Sequence, residues 1–335
     1  MDTVGVEDFG NLQQFAFDCD VLLKKMLDMK LPSDVRHDLE SNDWMVGRGA
    51  CDMKSGVAVF LVLLKELSKK IEKLSGNIVL SINPVEENLH TGIIEGLDVL
   101  TMLKEKMGFK FLLAINNDYI CPLYEGDTKR YIYMGAEGKL LPCFYVQGKE
   151  THVGQCFEGF DATKVASTIV NKINLNTDFC DGYEGEYTLP PTVLKMKDLK
   201  KEYNVQTAFD AFVYFNYFVH KENMESIIQK LRCIAEEAFN EVLEDINIQY
   251  KKYCELVKDN YHSIKYKVKV ITYEELLKEA INEKGSEVLV EINKLGQKLL
   301  DENVDKREIG IYLIRYLLQE LKEKGNVIVL YFAAP

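Results

Sequence analysis

From Met53 to Leu74 apolar residues recur at helical spacing (Val57, Phe60, Leu61, Leu64, Leu67, Ile71, Leu74) with lysines and glutamates on the opposite face, which predicts an amphipathic helix. Gly76 ends it. Residues 77–82 (NIVLSI) form a short, nearly continuous apolar run closed by Asn83 and Pro84, the pattern of a strand buried on both faces. Thr91 to Lys106 reads as a second helix and Phe109 to Ile115 as a second such strand. Helix, strand, helix, strand is the repeat of a parallel α/β layer, in which ligands bind beyond the carboxyl ends of the strands.

After about Gly135 the texture changes. Longer strands (Lys139 to Val146, Thr192 to Met196, Ala211 to Val219) surround helices over Asp161 to Asn174 and Glu222 to about Glu255, an α+β pattern. From Tyr266 come a strand-like KVKVIT, three amphipathic helices and the apolar run Val327 to Phe332, which is expected to rejoin the first sheet. The fold class expected is therefore α/β, a mainly parallel sheet with flanking helices made from residues 1–134 and 265–335, carrying an inserted α+β module over 135–264. The chain begins on Met1 with no strand before it and stops on Pro335 directly after a buried-type strand, so both ends read as cut.

Charge and composition narrow the classes. With 53 acidic against 41 basic residues the net charge is −12, which gives no support to a phosphate-binding basic stripe and excludes a nucleic-acid partner. The longest apolar stretch, Val57 to Leu64, falls far short of the roughly 20 residues that span a bilayer, and the acidic N-terminus is not a signal peptide. Eight cysteines without a CxxC pair read as reduced thiols, hence a cytoplasmic location.

Three acidic positions stand out. Asp52 lies in GRGACDMKSG (47–56) just before a helix start, Glu86 and Glu87 lie adjacent in PVEE just past a strand end, and Asp118 follows Asn116 and Asn117 at the end of the next strand. Taken singly these are a helix cap and solvated loop carboxylates. Together they are expected to converge at one rim of the sheet, where crowded carboxylates call for a cation or a raised pKa.

The segment GRGACDMKSG, the later EE pair and the opening MDTVG resemble the motifs of the zinc-dependent metallohydrolases of peptidase clan MH, which include aminoacylase, carboxypeptidase-G-type enzymes and succinyl-diaminopimelate desuccinylase. DTVGVEDFG, YNVQTAFDAFVYFNY and VIVLYFAAP resemble a branch concerned with arginine utilisation. The resemblance implies that Asp52 bridges two zinc ions, that Glu87 binds one and Asp118 the other, and that Glu86 is the general base. Asp2 would orient a histidine ligand, but its expected place, two positions earlier, has no counterpart here, nor does the family's last histidine ligand. His152, in THVG, would steady the reaction's oxyanion in the neighbouring subunit. His90, four residues after Glu86, has no ligand role in the pattern, and His262 reads as a surface residue.

The same resemblance implies that module 135–264 is a ferredoxin-like lid that forms a homodimer, and that the substrate is a small amino-acid amide or peptide. The alternative is a truncated or degenerate member acting as a structural or dimerising protein.

Overall fold

The computed structural model describes residues 5–86, 90–323 and 325–333. The chain divides into two compact units between Tyr133 and Met134. The first opens with 3-10 turns over Glu7–Phe15, followed by α1 (Cys19–Leu27) and α2 (Ser33–Glu40). Asp18 caps α1 by accepting from Val21 N–H at 3.0 Å. Arg36 on α2 donates to the carbonyls of Leu27 and Met29, at 2.9 and 2.8 Å, and so satisfies the C-terminal end of α1.

α3 (Gly56–Ser68) and α4 (Thr91–Met107) lie where the apolar spacing puts them, although α3 is shorter than expected and is followed by a single 3-10 turn at Ile71–Lys73. Residues 77–82 and 109–115, expected as parallel strands, carry no strand assignment. Their apolar side chains stay largely uncovered, Leu112 at 93% exposure. A parallel strand exists only when neighbours supply its ladder, and a buried-type run reports what a segment can bury, not that its partners are beside it.

The second unit is three layers. Its elements are β1 (Gly138–Gln147), α5 (Ala162–Ile173), a small hairpin of β2 (Gly182–Tyr183) and β3 (Glu186–Tyr187), β4 (Thr192–Asp198), β5 (Asp210–Val219) and α6 (Met224–Val257), followed by β6 (Val268–Thr272), α7 (Tyr273–Lys284), α8 (Glu287–Asp301), α9 (Lys306–Glu320) and β7 (Asn326–Ala333). Five strands form one sheet in the order β4-β5-β1-β7-β6, antiparallel throughout except for the parallel pair β6 and β7.

Alternate residues feed two cores. Phe144, Val146, Val213, Phe215, Ile328 and Leu330 meet α5 and α6 on one face, and Cys143, Tyr145, Phe212, Tyr214, Val329 and Tyr331 meet α7 to α9 on the other. Central strands covered on both faces need apolar residues at every position, which explains the runs FYV in β1 and VIVLYF in β7.

The mixed α/β class read from the sequence is therefore the class of the chain. The placement of Val327 to Phe332 is corrected: the strand pairs with β1 in the second unit, from Leu141↔Ala333 to Gln147↔Val327. Residues 265–335 likewise pack in the second unit.

One buried carboxylate fixes the turn between β5 and α6. Asp181 Oδ2 accepts from the backbone N–H groups of His220, Lys221 and Glu222 at 2.7–2.8 Å. Burial pushes its pKa up, but the three N–H donors outweigh this and hold the carboxyl below its ordinary value. The stability it contributes is thus present above about pH 4 and lost as pH falls through the lowered native value. Asp181→Ala, which orphans three donors, is expected to cost about 1–3 kcal/mol at pH 7 in chemical denaturation, with the gap to the parent narrowing below about pH 4.

Candidate functional site

The GRG segment is tied back to the chain's start. Arg48 N–H donates to Ala16 O at 2.8 Å, while its guanidinium pairs with Asp8 and lies 5.1 Å from the Phe9 ring centroid. Residues Ala50–Ser55 then form a distorted helical turn in which Asp52 and Met53 leave helical geometry, and the peptide between them is cis. Asp52 is exposed at the entrance to α3.

A contact distant in sequence brings the other acidic segment to this turn. Asn117 Nδ2 donates to Gly56 O, the first residue of α3, at 2.6 Å. A Cβ placed on Gly56 would stand 2.8 Å from that nitrogen and 2.9 Å from Met53 Cε, so a larger residue would displace these two side-chain ends. Asp118 is thereby held one residue from an anchor four positions after Asp52. Its Oδ1 accepts from Tyr119 N–H at 2.6 Å. Glu86 is exposed, with Oε1 3.6 Å from His90 Nδ1. Glu87 and Asp2, the remaining members of the expected set, lie outside the described residues.

Among the described residues no group of three or more His, Cys, Asp or Glu side chains is close enough to hold a metal ion. The expected convergence of Asp52, Glu86 and Asp118 is thus not reached by those residues. The donors themselves are carboxylate oxygens, suited in kind to a divalent cation. What the structure supplies is the Asn117 tether between the Asp52 turn and the Asp118 segment.

In the second unit two sequence motifs meet. THVG (151–154) and YNVQT (203–207) run alongside each other: Thr151 N–H donates to Thr207 Oγ1 at 3.0 Å, Thr207 N–H to Thr151 O at 2.9 Å, and Val153 N–H to Val205 O at 2.9 Å. His152 pairs with Gln206 in an isolated bridge at this junction and is exposed.

A cleft of about 760 Å³ lies at the end of β1, lined in part by Gln147, Lys149, Glu150, Phe209 and Tyr266. On its wall Arg315 makes a bidentate pair with the buried Asp210, at 2.6 and 2.7 Å, and Tyr145 O–H donates to the same carboxylate at 2.7 Å. Burial pushes the Tyr145 hydroxyl pKa up, and the charge of Asp210 adds to this. Sequence reasoning missed this cluster. The available signal was a lone aspartate opening an apolar strand and a lone arginine within IYLIRYLL, each commoner as a solvated end or flank than as half of a pair.

The chain belongs to the peptidase family M20/M25/M40, whose model matches residues 15–241. It is 36% identical over 335 residues to protein RocB of Bacillus subtilis, covering all of this chain and 59% of RocB. It is 32% identical over 341 residues to the uncharacterized protein YqjN of the same organism, covering all of this chain and 60% of YqjN. A succinyl-diaminopimelate desuccinylase of Psychromonas ingrahamii is 31% identical over 111 residues, 33% of this chain and 28% of that enzyme. The chain thus spans about 60% of the length of the first two relatives.

The tether makes a checkable prediction. Asn117→Ala, which removes the amide donor to Gly56 O, is expected to cost about 0.5–1.5 kcal/mol in chemical denaturation.

Proposed function

We propose that this chain is the part of a metal-dependent hydrolase that acts on an amide or peptide bond next to an amino acid. The observation that carries the reading is that one family match, over residues 15–241, contains GRGACDMKSG, the PVEE pair, Asp118 and THVG in a single span. Asp52, Glu87 and Asp118 are the residues that would hold the metal, with zinc the expected ion. A bound divalent ion would polarise the amide carbonyl and acidify a water. Glu86, which is exposed, would take a proton from that water and deliver it to the leaving amine. Asp2 would orient a ligand, and His152 would donate to the oxygen that gains charge.

A substrate related to arginine breakdown rests only on the resemblance of DTVGVEDFG, YNVQTAFDAFVYFNY and VIVLYFAAP to a branch concerned with arginine utilisation. The catalytic role would belong with residues 1–134 and the lid role with residues 135–264. We also assign a homodimer to the second unit, supported by the edge strand β4, where Leu194 and Met196 remain exposed. No helix among the described residues is long and apolar enough to cross a membrane. A cytoplasmic location rests on the eight unpaired cysteines.

The test is hydrolysis of a panel of acyl-amino acids and dipeptides with zinc, manganese or cobalt added. In a protein that spans the full length of the relatives, Glu86→Gln is expected to abolish turnover while leaving the metal content, measured by elemental mass spectrometry, unchanged. Full turnover by that variant overturns the assignment of the base, and absence of metal-dependent hydrolysis by the folded full-length protein favours the non-catalytic alternative. For the dimer, light scattering should report twice the chain mass, and Leu194→Asp with Met196→Asp should shift it to the monomer.

A further inference from the structure

His152 sits at the head of a single 3-10 turn, Val153–Gln155, with its own backbone extended (φ −63°, ψ 141°). Its Nδ1 accepts a hydrogen bond from the backbone N–H of Gly154 at 3.0 Å. A backbone N–H can only donate, so Nδ1 carries no proton, and the neutral ring must carry its single proton on Nε2. Among the described residues none accepts from Nε2. The main chain holding the ring is itself fixed. Gln155 N–H returns to His152 O at 2.8 Å, Thr151 Oγ1 donates to Gln155 O at 3.2 Å, and Val153 N–H is bound by Val205. A Cβ at Gly154 would stand 3.1 Å from Nδ1, so the bare glycine lets the ring lie over the turn.

We propose that Gly154 is a positioning residue that locks His152 in the Nε2–H tautomer. The THVG loop then presents the Nε2–H of that exposed ring to a substrate carbonyl oxygen that becomes negatively charged. This rests on the reading of His152 as the oxyanion donor, and it adds the atom that donates and the residue that fixes it. An N–H donor held in one tautomer suits the task because it needs no rearrangement as the charge develops. The cap is the structural alternative: a histidine that merely closes a turn would make the same Nδ1 bond. Asparagine separates the two roles, since its side-chain oxygen can accept from Gly154 N–H while it places no Nε2–H beyond the turn.

The experiment is long-range imidazole ¹⁵N NMR on the whole chain at alkaline pH, where the rings are neutral, with the His152 signals identified by their loss in His152→Asn. The expected result is a fully pyridine-like Nδ1 and a pyrrole-like Nε2, set apart from the averaged shifts of the exposed His262. Gly154→Pro, which removes the N–H, should return His152 to an averaged value. An averaged or Nδ1-protonated His152 in the parent protein overturns the proposal, and this spectrum decides the matter even if the proline variant fails to fold. Activity tests the underlying reading separately. His152→Asn should keep the parent's thermal midpoint and KM but lose about 10²- to 10³-fold in kcat, the usual effect of removing one oxyanion donor. A locked tautomer with undiminished kcat would sink the oxyanion role while leaving the lock standing.

Discussion

The second unit depends on β1 being paired on both edges and buried on both faces. Its backbone is bound on one side by β5 and on the other by β7, and Phe144 and Tyr145 point into opposite cores with no exposure. A strand so constrained has one register, because a slip of a single residue would exchange the two cores. The constraint passes into the functional loop. Beyond the end of β1, Gly148 N–H binds Phe209 O and Lys149 exchanges two hydrogen bonds with Phe160, so the chain is already fixed a few residues before Thr151 meets Thr207. The position of His152 is thus inherited from the sheet.

The Asp210–Arg315–Tyr145 cluster does for the far layer what the ladders do within the sheet. Arg315 stands on α9, Asp210 opens β5 and Tyr145 belongs to β1, so one carboxylate joins three elements separated widely in sequence. Burial disfavours the charged guanidinium, yet Asp210 more than compensates, and the Arg315 pKa is raised. Removing either charge would leave the other desolvated without a partner, a larger penalty than the net worth of the pair.

Much of this was legible in the sequence, for unequal reasons. Helical periodicity located α4 and α5 to within a residue or two because a 3.6-residue stripe must face something apolar. The boundary near Gly135 was visible because the strand pattern changes there. The run Val327 to Phe332 was read as a strand correctly and assigned to the wrong sheet, since burial on both faces is a property of any central strand and names no neighbour. Residues 77–82 and 109–115 failed for the related reason that apolarity is local and a ladder is not. The family was legible through GRGACDMKSG and the later EE pair. The Asn117–Gly56 tether and the bond from Gly154 to His152 were not, because nothing in residue type reveals a side chain's partner 61 positions away or the direction of a ring nitrogen.

The sheet order has a consequence for how the polypeptide reaches this state. β1 at residues 138–147 and its partner β7 at 326–333 are separated by nearly the whole length of the unit. As the chain emerges from the ribosome, β1, β4, β5, α5 and α6 can assemble by contacts of modest sequence separation, whereas one edge of β1 and one of its faces must wait for the last strand and α7 to α9. During that interval an apolar edge stands open to pairing with other chains. Chaperone dependence and loss to aggregation in vivo should accordingly respond more to changes that delay or weaken β7 than to equally destabilising changes in α5.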